Sequence, residues 1–174
     1  MTSTRLRRCR TLRAALVVFA AAVAGGGTAA TADVGAQADP KCQSIDLGIH
    51  YAGGQGATAM ALDYFQFINV SHRECHLLGY PGVAVYDRAG RRLHVKVSRL
   101  NADARRVRLP PGGHVIFTLV TAEERAPGQH CAFGVRERFT PPNDVGTLSI
   151  KHRLMICSGM SISSVRAPTP GSRF

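Results

Sequence analysis

The 174-residue chain has no tryptophan, and its aromatic share is only 6%. Proteins that stack on single-stranded nucleic acid need aromatic side chains interleaved with basic ones, so a nucleic-acid partner is set aside. Acidic residues are scarce as well, 11 Asp and Glu against 22 Lys and Arg. With so few carboxylates, no pair stands out as general acid and base. The motifs G-x-S-x-G, S-x-x-K and H-E-x-x-H are all missing. Ser158-Gly159, which follows Cys157, reads as a turn. No cofactor fingerprint is present. These absences point away from an enzyme, and a catalytic site assembled only by the fold is kept as the second alternative.

Long apolar runs are also missing, apart from Ala14 to Ala24. That run is well short of the ~20 residues that span a bilayer. Arg5, Arg7, Arg8, Arg10 and Arg13 precede it, and Gly25 to Gly27 follow. Two small-residue A-x-A sites come next, Ala30-Thr31-Ala32 and Ala36-Gln37-Ala38. Basic head, short apolar middle and small-residue exit make a secretory signal, with an uncleaved membrane anchor as the competing reading. The expected organisation is a signal peptide over 1–38, a short lead over 39–41, a domain over 42–166 and a loose tail over 167–174. Cleavage after Ala38 is preferred to cleavage after Ala32. The product has 136 residues, 17 basic and ten acidic, a net charge of +7. Such a surplus favours anionic neighbours outside the cytoplasm, cell-envelope polymers or lipid head groups.

Of five cysteines, Cys9 lies ahead of the apolar run and leaves with the signal. A lipoprotein acceptor would sit at the end of that run, where only Gly and Ala stand. Cys42, Cys75, Cys131 and Cys157 remain, an even number in an exported chain, and read as two disulfides. A Cys₄ zinc site competes weakly, because no C-x-x-C pair occurs. Sequence neighbours in an antiparallel sandwich are usually spatial neighbours, so the expected pairs are Cys42–Cys75 and Cys131–Cys157.

From Cys42 to Arg166 the hydrophobic period is two. Ile45, Leu47 and Ile49 alternate with polar or small residues. Met60 to Val70 is apolar on both faces, with Leu62, Tyr64 and Ile68 on one and Phe65 and Phe67 on the other, as for a central strand. Val83 and Val85 lead into the turn Asp87 to Gly90. Leu93, Val95 and Val97 alternate with Arg92, His94, Lys96 and Ser98, and Val107 and Leu109 with Arg106 and Arg108. Pro110-Pro111-Gly112-Gly113 is a turn before a strand over His114 to Thr121. Val145 to His152 and Met160 to Val165 complete about seven strands, which predicts an all-β antiparallel sandwich.

Several of these residues together resemble a known family. Leu78-Gly79-Tyr80-Pro81-Gly82-Val83 follows Cys75, and Phe67-Ile68-Asn69 precedes it. Leu109-Pro110-Pro111-Gly112-Gly113, Cys131, Pro141-Pro142 and Cys157 follow in order. The chain is similar over Cys42 to about Val165 to the secreted, mostly actinobacterial family known as domain of unknown function number forty-two thirty-two. The resemblance implies an exported immunoglobulin-like β-sandwich, free or tethered at the cell envelope. It brings no catalytic residues. Many relatives carry a lipoprotein signal or an N-terminal membrane segment, and this chain departs from the former.

Two constellations remain. Arg88, Arg91, Arg92, Lys96, Arg99, Arg105, Arg106 and Arg108 crowd one span whose only acid is Asp103. If the strands over 93–97 and 107–109 pair as a hairpin, Arg92, His94, Lys96, Arg106 and Arg108 share one outward face. Such a strip could hold phosphate or carboxylate polymers. The plainer reading is a solvated edge kept positive against strand pairing. His72-x-x-x-His76 has a ligand-like spacing and makes an exported metal-binding sandwich the first alternative. Against it, the pair falls in a loop and Cys75 is spent in a disulfide. The Leu78 to Gly82 stretch reads as a corner between sheets, with Pro81 fixing the backbone and Gly79 and Gly82 free to take positive φ. The sequon Asn69-Val70-Ser71 is a chance-level motif.

Overall fold

The computed structural model describes residues 39–57, 59–100, 103–122 and 130–169. The proposed signal, Cys9, both A-x-A sites and the end of the tail lie outside the described residues. The described residues are all-β. A five-stranded sheet has the order β1 (Leu47–Ala57), β2 (Met60–Asn69), β7 (His114–Ala122), β12 (Met160–Ile162) and β5 (Val97–Arg99). Its pairs are antiparallel except β12 with β5. A three-stranded antiparallel sheet runs β10 (Leu148–Ile150), β9 (Arg136–Thr140) and β4 (Gly82–Tyr86). Two short ribbons join β3 (Cys75–Leu77) to β6 (Val107–Leu109) and β8 (Ala132–Gly134) to β11 (Leu154–Ile156). Among the described residues no helix is long and apolar enough to cross a membrane.

The core follows from the period of two. In β2, Asp63, Phe65, Phe67 and Asn69 are buried and the residues between them are less so. The sequence reading of a strand between two neighbours holds, but its Phe face is buried more deeply than its Leu62–Ile68 face. Phe65 and Phe117 of the five-stranded sheet meet Phe139 of the three-stranded sheet at 4.7 and 5.1 Å between ring centroids. All three are fully buried. Those contacts across the two sheets make the sandwich. Asn69 is buried at the end of β2, and its Nδ2 donates to the carbonyls of Arg73 and Leu109. The sequon is therefore a loop clamp. The Pro110–Gly113 turn forms as expected, with Gly113 N–H donating to Pro110 O and Gly112 at φ 76°.

Among the described residues twelve strands stand where about seven were expected: β3, β8, β9 and β11 are short additions, while two predicted strands lead across from one sheet to another. Residues 93–96 are irregular. Leu93 N–H donates to Val85 O in one sheet, while Lys96 O accepts from Met160 in the other. Likewise 145–152 breaks into β10, and β11 begins beyond it, in a different ribbon. β9 was not foreseen. It alternates inward Glu137 and Phe139 with outward Arg136 and Arg138, and a buried acid conceals the hydrophobic stripe.

The disulfides join Cys42 to Cys75 and Cys131 to Cys157. The first fastens the segment before β1 to β3. The second sits beyond the free ends of β8 and β11 and staples that ribbon. The 78–82 segment does turn a corner, from the β3 ribbon to the three-stranded sheet. Gly79 takes φ +122°, whereas Gly82 opens β4 without a positive φ.

Candidate binding site

The site begins at an irregularity in the β1–β2 hairpin. The register shifts between Tyr51 and Gly53, and Gly53 has φ +116°. This bulge, of a kind glycine tolerates, lets the Tyr51 hydroxyl donate to Asp63 Oδ1 at 3.0 Å. Gly54 stands opposite Asp63. A Cβ there would lie 2.7 Å from both Asp63 Oδ1 and the Tyr51 hydroxyl, so the pair exists only because residue 54 has no side chain.

His152 arrives from the crossing between β10 and β11. Its ring lies 4.4 Å from that of Tyr51. Nε2 is 3.5 Å from Asp63 Oδ1, and Nδ1 is 3.7 Å from Glu137 Oε1. Glu137 is fully buried, and neither of its oxygens has a hydrogen-bond partner among the described residues. Tyr51, Asp63, His152 and Glu137 thus form a chain of polar groups from the cleft into the core. Burial lifts the Glu137 carboxyl above 4.5, and the charge of Asp63 adds to this against the opposing pull of His152. Burial works against a charged His152, but Glu137 and Asp63 outweigh it and raise the ring above 6.5. Tyr51 is pushed up to about 12 by burial and by its bond to Asp63.

Tyr51, Asp63 and His152 form the inner wall of a cleft of about 820 Å³, with Glu137 buried behind them, within the size range of small-molecule sites. The stapled ribbon makes the apolar wall. Met155 pairs with Phe133, and Leu154 with Gly134. Phe133 is 61% exposed, unusual for so large an apolar side chain. Exposed Arg88, Arg91 and Arg153 lie at the rim. Arg91 is tied to Asp87 at 2.8 Å. A neighbouring hollow shares Arg88, His152 and Arg153 and adds Arg136 and Lys151. Among the described residues Arg88, Arg136, Lys151 and Arg153 have no carboxylate within ion-pair distance.

The model of the family described as Domain of unknown function (DUF4232) matches residues 42–168. The chain belongs to this family. No curated protein and no solved structure matches it.

In this DUF4232 domain the five residues expected as one strip do not assemble. β5 pairs with β12 and β6 with β3, so the anticipated hairpin does not form. Arg106 and Arg108 lie 3.8 and 3.4 Å from Asp39 Oδ2, and Arg108 is 3.8 Å from Glu74. Arg92, His94 and Lys96 remain exposed on the crossing that leads to β5. The even alternation of 92–98 concealed the crossing. His72 is exposed in the loop before β3, but His76 is not a loop residue. It lies in β3, 5% exposed, with Nδ1 3.6 Å from Asp39 Oδ2. Among the described residues no three His, Cys, Asp or Glu side chains are grouped to hold a metal ion. Beyond the rim arginines Arg88 and Arg91, which belong to the basic span, Asp63 left a mark in the sequence. It is an acid in phase with Phe65 and Phe67, on the face that must be buried.

Proposed function

We propose that this domain is an extracytoplasmic, non-enzymatic binding module whose basic surface around His152 contacts an anionic polymer of the cell envelope. The observation that carries this reading is the gathering of Arg88, Arg136, Lys151 and Arg153 without carboxylate partners among the described residues. Arg106 and Arg108, by contrast, are already paired with Asp39, and Arg108 also with Glu74. Unpaired surface arginines offer bidentate contacts to phosphate or carboxylate. The two disulfides support an oxidising compartment.

Binding to inorganic polyphosphate at two salt concentrations tests the surface. Exposed charges are screened over ~8 Å at physiological salt, so affinity falls steeply as salt rises. Arg136→Glu with Lys151→Glu should reduce binding at least tenfold. Lys96→Glu with Arg106→Glu, an equal change of charge, should alter it little. Equal losses would show that net charge alone matters and would end the proposal. Export has its own check, since the intact mass of the culture-fluid protein should begin at Asp39.

A further inference from the structure

We propose that the cleft beside the basic surface holds one acidic sugar unit of an anionic glycan, its ring laid on Phe133 and its hydroxyls against Asp63. This rests on the binding-module reading above and names the ligand class. The cleft presents three different surfaces at close quarters. Its apolar wall carries an aromatic ring, Phe133, exposed to 61%. Its inner wall carries a carboxylate, Asp63, whose side chain keeps 10% exposure, and a ring, His152, that keeps 13%. Its rim carries Arg88 and Arg153, which no carboxylate among the described residues neutralises.

A pyranose matches all three. Its C–H face is apolar and lies flat on an aromatic ring, while its hydroxyls donate to a carboxylate. A carboxylate or phosphate substituent reaches an arginine. An acyl chain with an anionic head would satisfy the wall and the rim but fail at the inner wall. It would strip the remaining water from Asp63 and His152, which already face each other, without offering either a hydrogen bond in exchange, and that desolvation is unfavourable. A plain polyanion without sugar would use the rim and leave Phe133 bare.

The experiment titrates the full exported chain, by calorimetry, with trigalacturonate, maltotriose, inorganic polyphosphate and decyl phosphate. The variants are Phe133→Ser, whose exposed position keeps the fold, and Asp63→Asn, with a thermal melt to check folding. Trigalacturonate should bind more tightly than neutral maltotriose. It should lose about five- to tenfold in each variant, the effect of one ordinary contact. Polyphosphate binding should not change in Phe133→Ser. If Phe133→Ser leaves trigalacturonate unaffected while polyphosphate still depends on Arg136 and Lys151, the sugar inference falls and the basic surface stands. If Phe133→Ser weakens decyl phosphate alone, the cleft takes an amphiphile and the inference is overturned. Maltotriose binding as tightly as trigalacturonate overturns the acidic requirement. No binding of any polyanion ends both readings.

Discussion

Removing the two disulfides one at a time separates the stability of the domain from the shape of its cleft. Cys42–Cys75 closes 33 positions and Cys131–Cys157 closes 26. In the chain-entropy account these loops are worth about 3.7 and about 3.5 kcal/mol. The difference is smaller than an unfolding experiment resolves. Cys42→Ala with Cys75→Ala and Cys131→Ala with Cys157→Ala should therefore destabilise almost equally. With a urea slope of about 1–3 kcal/mol/M, each midpoint should fall by about 1–4 M. The two variants part company at the cleft. Cys131–Cys157 staples β8 to β11, which otherwise meet over three residue pairs, and that ribbon carries Phe133 and Met155. Cys42–Cys75 touches no part of the cleft. Under conditions where both variants are folded, trigalacturonate affinity should drop only when the 131–157 bond is absent. Urea melts followed by circular dichroism and calorimetric titration read the two quantities. Equal binding losses would refute the assignment of the ribbon as cleft wall, and a midpoint change in only one variant would refute the loop-entropy reasoning.

The buried carboxylate and imidazole make stability fall as pH rises. Both Glu137 and His152 have folded pKa values above their usual 4.5 and 6.5, so the folded state binds protons more tightly than the unfolded one. Their contribution is fully present below about 4.5 and is lost as pH climbs through each folded value. Asp87 and Asp144, lowered from 3.8, act in the opposite sense but only at more acid pH. The melting temperature should be higher at pH 5 than at pH 8, and Glu137→Gln should flatten the slope. A melting temperature that rises over that window contradicts the burial argument. Gly54→Ala should force Tyr51 from Asp63, and ultraviolet titration would then show its phenol returning from about 12 toward its ordinary 10. An unshifted titration would mean that the missing side chain at 54 is not what permits the pair.

What the sequence disclosed was local. Alternation around Phe65 and Phe67, the Pro110–Gly113 turn and the even number of cysteines after the apolar run can each be read without knowing the sheet packing, and the corresponding structure forms. The failures have one physical origin. Residues 92–98 alternate like a strand, yet their backbone hydrogen bonds go to two different sheets, and 145–152 likewise alternates, yet pairs over 148–150 in β10 before the chain passes on to β11 in another ribbon. Alternation records which side chains face inward, and a crossing segment needs that as much as a strand does. The cleft was harder still, because Asp63, Glu137 and His152 lie far apart in the chain and meet only through sheet packing. Glu137, seen alone, looks like one more surface acid in a charged run.

The five-stranded sheet ends at one side on β5, a strand of three residues whose side chains are all exposed. Lys96 precedes it, and the guanidinium of Arg99 lies 4.9 Å over the Tyr80 ring. At the other side β1 is bent by its bulge and carries Gly53, Gly54 and Gly56. One edge is too short and too positive, and the other too kinked, to template a second chain. Molecules with flat, unbroken borders join edge to edge when crowded, and fibres follow. Neither border of this sheet therefore recruits a second chain when the domain is crowded, and the cleft is left open.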